Sequence, residues 1–142
     1  MNISLDQLDT FAKKFVESLS TNTARGAYCV GLSGDLGSGK TTFVQRVAKE
    51  LGVKEGITSP TFVILQTYPI DHSRFKTLVH IDAYRLSEGE SETINFSEYI
   101  QNPDNLILIE WPENIVTHAE QCATTLQFDV VDENTREILE KK

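Results

Sequence analysis

The stretch that decides the fold is AYCVGLSGDLGSGKTTFVQRVAKEL, residues 27–51. At its centre Gly34, four further residues, then Gly39, Lys40 and Thr41 meet the pattern G-x-x-x-x-G-K-[ST] of a phosphate-binding loop. The pattern carries meaning only between a strand and a helix, and both are predicted here. AYCVGLS is a short apolar run that reads as a mostly buried strand entering the glycines. Beyond them Phe43, Val44, Val47, Ala48 and Leu51 recur on one helical face, and Gly52 follows as a C-cap. In such a unit Gly34, Gly37 and Gly39 let backbone N–H groups converge on phosphate oxygens at the positive end of a helix. Lys40 then reaches the β and γ phosphates, the Thr41 hydroxyl helps hold Mg2+, and Thr42 offers its N–H or hydroxyl to the α phosphate.

Outward from this unit the chain alternates helical and extended patterns. Ser4 and Gln7 form a capping-box signature, and Leu5, Leu8, Phe11, Ala12, Phe15, Val16 and Leu19 follow at helical spacing. TNTARG ends that helix. After VKEGITSPT, the runs FVILQTYPI and TLVHIDAYR read as a hairpin around DHSR, and SEGESETI as a short helix. NLILIEW is an unbroken apolar run of the kind found in a central strand buried on both faces. TTLQFDVV and REILE flank DENT and predict a closing hairpin. The expectation is an α/β fold: a single P-loop NTPase domain spanning residues 1–142, with a mixed central sheet and flanking helices.

Composition narrows the partners. A formal net charge of −8 leaves no basic surface to grip a phosphate backbone, so any nucleic-acid role is expected to go through a partner. No apolar stretch has signal-peptide or membrane-spanning length, which predicts a cytoplasmic protein without a membrane role. Cys29 and Cys122 are far apart, without CxxC spacing or a nearby His pair, and read as structural thiols.

A magnesium nucleotide site adds an acid at the carboxyl end of a neighbouring strand. Two acids fit, Glu110 at the end of LILIE and Asp82 at the end of LVHID; for each the bland alternative is a solvated strand end. Period-two alternation sets His80, Asp82 and Tyr84 on one strand face and Ile81, Ala83 and Arg85 on the other. For His80 a satisfied structural histidine is favoured over an acid or base. Trp111 suits either the core or a partner-facing anchor. TSPTF sets Thr58, Ser59 and Thr61 around Pro60, either as a loop that senses the γ phosphate or as an ordinary hydroxyl-rich turn.

GDLGSGKTT, SPTF, HIDAYRL and IEWPE, in this order, closely resemble the TsaE family (also called YjeE), small bacterial P-loop ATPases of tRNA threonylcarbamoyladenosine biosynthesis. The resemblance spans roughly residues 5–136; GDLGSGKTT marks only a P-loop protein, whereas HIDAYRL with EWPE is much more specific. It implies an ATPase that assists the TsaD and TsaB proteins, which attach threonylcarbamoyl to adenosine 37 of tRNAs reading codons that begin with A. ATP turnover would let that complex cycle, and the tRNA would be held by the partners. By motif, Gly37, Ser38, Gly39, Lys40, Thr41 and Thr42 correspond to the phosphate loop. Thr41 and Glu110 correspond to magnesium-side residues, and Asp82 to a residue at the metal or attacking water. Thr58, Ser59 and Thr61 match a switch-like loop, and Trp111 a tryptophan near nucleotide and partner. Two positions depart from the family pattern: Leu8 where a Thr faces the adenine side, and Asn95 where many relatives have Gly. The resemblance sets the adenine between the first helix and the last hairpin, with Arg136 as a candidate contact.

The resulting expectation is slow Mg2+-dependent ATP hydrolysis, with Lys40, Asp82 and Glu110 as catalytic residues and acceleration by partners, since no arginine is evidently placed as a finger. The rivals are a small-molecule kinase, for which Arg74 and Lys76 supply the only short basic loop, and a nucleotide switch without useful hydrolysis.

Overall fold

The computed structural model describes residues 2–19, 27–54, 65–86, 96–115 and 124–141. Along the chain these form β1 (Asn2–Ser4), α1 (Leu8–Leu19), β2 (Tyr28–Ser33), α2 (Lys40–Glu50), β3 (Leu65–Pro69), β4 (Thr77–Asp82), α3 (Phe96–Gln101), β5 (Asn105–Glu110), β6 (Thr124–Asp132) and β7 (Thr135–Lys141). The strands make one seven-stranded sheet in the order β1-β7-β6-β2-β5-β4-β3. Its centre, β6-β2-β5-β4, is parallel, and β3, β7 and β1 join antiparallel at the sides. The mixed α/β sheet and both hairpins thus agree with the sequence pattern.

Alternation along the parallel strands builds two cores. Val30, Leu32, Leu78, Leu106 and Leu108 face α1 and α2, where Leu8, Ala12, Phe43, Val44 and Val47 meet them. Cys29, Val79, Ile81, Ile107 and Ile109 face the other way, toward Phe96, Tyr99 and Ile100 of α3. Being covered twice, β5 is buried at all six positions, which is why NLILIE is apolar without alternation. Phe43 is the hinge of the α1–α2 packing, its ring 5.6 Å from Phe11, 5.4 Å from Phe15 and 5.7 Å from Phe128.

Several expectations need correction. The first helix opens with a 3-10 turn at Leu5–Gln7 before α1 begins, and Leu5 is exposed. The Ser4 N–H does donate to Gln7 Oε1 at 3.0 Å, the backward half of the capping box. Residues 70–76 connect β3 to β4, longer than DHSR alone, although the Ile70 N–H still donates across the hairpin to the Lys76 carbonyl at 3.0 Å. Two elements were not anticipated: β1, three residues long, and α3, whose Phe96, Tyr99 and Ile100 carry an i, i+3, i+4 pattern too short to stand out. The expected helix at SEGESETI, the TSPTF loop, Asn95 and Cys122 lie outside the described residues.

Phe43→Ala is expected to destabilise the fold by about 3–5 kcal/mol, through lost burial and an unfilled cavity. Leu36→Ala, at an exposed loop tip, should stay within about 0.5 kcal/mol of the parent. Urea unfolding followed by circular dichroism checks both.

Candidate functional site

Parallel register assembles the site. β2, β5 and β4 lie side by side and run the same way, so their carboxyl ends open on one edge of the sheet. Asp82 and Glu110 are register partners, as are Leu32 and Glu110. By alternation Glu110, His80 and Asp82 share the face of Leu106, Leu108 and Leu78, the side on which α2 packs. One residue after β2 the chain enters the glycine turn and returns as α2, with Gly39 at the cap and Phe43 N–H bonded to the Gly39 carbonyl at 2.9 Å.

The turn is packed tightly against the closing hairpin. Gly34 has φ +144°, and a Cβ there would lie 2.4 Å from the Phe128 carbonyl oxygen, so only glycine fits. Arg136 of β7 reaches across, donating from Nε to the Ser38 carbonyl at 3.1 Å and from Nη2 to the Gly37 carbonyl at 3.4 Å. Its Nη1 donates to the Asp132 and Thr135 carbonyls, which fixes the guanidinium to its own hairpin. Ser38 is buried, and its Oγ has no hydrogen-bond partner.

Lys40 is buried at the first position of α2. Its Nζ donates to the carbonyls of Gly34 and Asp35 and lies 4.1 Å from the centre of the Trp111 ring, a cation–π contact. Burial pulls the Lys40 ammonium below the usual lysine range, opposed by the charges of Glu110, Glu113, Asp82 and Asp35. Thr41 Oγ1 donates to Glu110 Oε1 at 2.8 Å. The second oxygen of that carboxylate, Oε2, lies 2.6 Å from His80 Nε2. Glu110 is therefore buried and held from two sides, not a solvated strand end. Asp82 is half-buried, and its Oδ1 accepts the Tyr84 N–H at 3.0 Å. Burial pushes its carboxyl above the usual range, the Tyr84 bond works against this, and the Glu110 charge adds to the rise.

Trp111 follows β5 with φ +62°, uncommon for a bulky residue and worth about 1–2 kcal/mol of local strain. Its N–H donates to the Leu32 carbonyl at 3.0 Å, and a 3-10 turn at Pro112–Ile115 begins at once. That turn sits directly on β2, since a Cβ on Gly31 would lie 2.8 Å from Pro112 Cγ. The reversed backbone aims the indole at Lys40 and Tyr84, whose ring centre is 5.0 Å away.

Lys40, Thr41, Thr42, Gly37, Ser38, Gly39, Asp82 and Glu110, all expected from sequence, line one cavity of about 500 Å³. Tyr84 is not on the strand, which ends at Asp82; it and Arg85 lie in the turn beyond, and both line the cavity despite their opposite parity. Asn114 holds that turn by donating to the Ala83 and Tyr84 carbonyls at 2.9 and 3.1 Å, a role with no local sequence signal. Leu5, Leu36 and Arg136 also line the cavity. Leu8, at the position of the family's Thr, is buried in the core instead. Arg74 and Lys76 precede β4, at the far end of the strand from Asp82, so the basic loop of the kinase reading is not at this cavity.

A family model described as threonylcarbamoyl adenosine biosynthesis protein TsaE matches residues 3–138. The chain belongs to the TsaE family. It thereby joins the proteins of tRNA threonylcarbamoyladenosine biosynthesis. The TsaE of Streptomyces coelicolor is 39% identical over 105 residues, covering 74% of this chain and 70% of that protein. That of Rickettsia felis is 39% identical over 133 residues, covering 92% and 72%. The crystal structure of Bacillus subtilis YdiB superposes with a TM-score of 0.64 at 27% identity, covering 99% of this chain and 83% of that one.

Arg136→Ala is expected to free the glycine turn from the hairpin and weaken ADP binding about tenfold in calorimetry, with the fold retained. Arg136→Lys should not restore it, because a compact ammonium lacks the planar fork whose separate nitrogens reach the turn carbonyls and the hairpin at once.

Proposed function

We propose that this chain is an Mg2+-dependent ATPase, one P-loop domain acting in the cytoplasm, whose turnover serves formation of threonylcarbamoyladenosine at position 37 of tRNA. One observation carries the reading: the lysine and threonine of the glycine turn face two strand-end acids, Asp82 and Glu110, across one cavity. The residues suit a bound triphosphate. Ser38 Oγ, buried and without a partner, is a hydroxyl available to a phosphate oxygen. Lys40 needs only to exchange two backbone carbonyls for phosphate oxygens, which as charged acceptors bind it more strongly. Two carboxylates, Asp82 and Glu110, line the cavity with Thr41, a donor set that suits Mg2+, which binds through one or two carboxylates together with substrate phosphates.

In this reading Thr41, with Glu110 or Asp82, would hold the cation, which when bound neutralises charge developing on the β and γ phosphate oxygens. Backbone N–H groups of Gly37 through Thr42 orient the phosphates at the start of α2. Lys40 donates to the γ phosphate and stabilises its charge, and Asp82, nearest to solvent of the two acids, orients the attacking water. Leu5, just before the first helix, and Arg136, of the closing hairpin, both line the cavity and would meet the adenine. The Arg136 guanidinium is already engaged by four backbone carbonyls, which argues against its acting as a finger and for slow intrinsic turnover. TsaD and TsaB proteins are the proposed partners, holding the tRNA that a surface of net charge −8 would repel.

The deciding assay is phosphate release from ATP with Mg2+, with and without TsaD and TsaB. Slow release by the chain alone and a clear rise with partners are expected. Lys40→Ala and Glu110→Gln should each lower the rate about 100-fold or more. Fast hydrolysis indifferent to partners would overturn the partner-driven reading, and no nucleotide binding would overturn the site.

A further inference from the structure

Resting on the nucleotide-site reading above, the geometry points to a role for His80: we propose that it is a positioning residue that fixes the Glu110 carboxylate toward Thr41 and thereby sets the affinity of the site for its divalent cation. His80 lies mid-strand in β4, fully buried, between Leu108 of β5 and Gln66 of β3 in register. An apolar residue would pack at such a position without a polar atom to satisfy. The side chain makes one hydrogen bond, to Glu110 Oε2 at 2.6 Å, and its Nδ1 is buried with no partner. The large majority of buried side-chain polar atoms have a hydrogen-bond partner, so a half-satisfied ring calls for a reason beyond packing. Here the one satisfied nitrogen is the one aimed at the functional carboxylate.

The orphaned Nδ1 also assigns the tautomer. A proton on it would be a buried donor with nothing to receive it, so the ring proton belongs on Nε2, which donates to Glu110. Each carboxylate oxygen then has its own donor: Thr41 Oγ1 from α2 on Oε1, and His80 Nε2 from β4 on Oε2. The terminal torsion of a glutamate is broad and close to two-fold, so a single donor leaves the carboxylate plane free to turn. Two donors from different elements fix it. They also keep Glu110 on Thr41 instead of on the Lys40 amine, which lines the same cavity. Partners that orient a ligating carboxylate in this way commonly change metal affinity about 10- to 100-fold when removed.

The test measures binding, not turnover. The affinity of the full chain for the non-hydrolysable analogue β,γ-imido-ATP is titrated calorimetrically over a series of Mg2+ concentrations, and again in EDTA. His80→Leu should raise the Mg2+ needed for half-maximal tightening about tenfold or more. Affinity in EDTA should be unchanged. His80→Gln, which retains an N–H at the position of Nε2, should restore the Mg2+ response. The double variant His80→Leu with Glu110→Gln should be no worse than Glu110→Gln alone, because both changes break one unit. If the leucine variant does not fold, His80→Asn, one methylene too short to reach Glu110, makes the same comparison and should show the same rise. An unchanged Mg2+ requirement in His80→Leu or His80→Asn, equal defects in the Gln and Leu variants, or additive effects in the double variant would each overturn the proposal. A parent chain that binds no nucleotide at all sinks the site reading itself; a parent with normal Mg2+ dependence and an indifferent His80 variant sinks only this inference.

Discussion

The hydrogen bond from Thr41 to Glu110, 2.8 Å long, joins the first turn of the helix that follows the glycine loop to the end of the central strand. Everything at the cavity depends on the two residues meeting, and 69 residues separate them in sequence. They meet because β2, β5 and β4 pair in parallel and end level, with Leu32, Glu110 and Asp82 in register. A register shift of one residue in β5 would turn Glu110 to the α3 side and leave Thr41 without its acid. Such a shift would also bury the Glu110 carboxylate among the apolar side chains on the α3 side, so the hydrophobic core and the polar site are set by one constraint.

Around that bond Lys40 and Glu110 are buried and Arg136 is partly buried, and a charge so placed needs a partner. Lys40 has two carbonyls and the face of Trp111; Glu110 has Thr41 and His80; Arg136 has the carbonyls of the turn and of its own hairpin. The strained backbone of Trp111 belongs to the same arrangement, since reversing the chain directly after Glu110 is what brings the indole over the lysine. Strain of this kind persists only where the surroundings over-determine it. The Pro112–Ile115 turn seated on Gly31 and the Trp111 N–H bonded to Leu32 do so here.

The closing hairpin has a further part. β6 lies beside β2 and brings the Phe128 carbonyl against Gly34, while β7 supplies Arg136. The glycine turn is thus shaped from outside by a segment whose Arg136 stands 98 residues beyond Ser38 in the chain, as well as by its own glycines.

By itself the sequence determined the elements whose signals are local: the strand, glycine turn and helix over residues 27–51, the apolar strand of Leu106–Ile109, both hairpins, and the two acids at strand ends. These follow from periodicity and from glycine and lysine chemistry, which act over a few residues. The family resemblance was legible for the same reason, as short motifs in order. Tertiary structure alone decided how those pieces meet. Tyr84 and Arg85 have opposite parity on paper, yet both line the cavity because the strand stops at Asp82 and parity lapses in a turn. Leu5 has the spacing of a core residue but is exposed, because a 3-10 turn rotates it off the face that α1 buries. Arg136, Asn114 and His80 act through contacts 98, 31 and 30 residues away, and no local pattern encodes such a distance. Local propensity names the groups; chain crossing and register, governed by burial on two faces of one sheet, choose which of them touch.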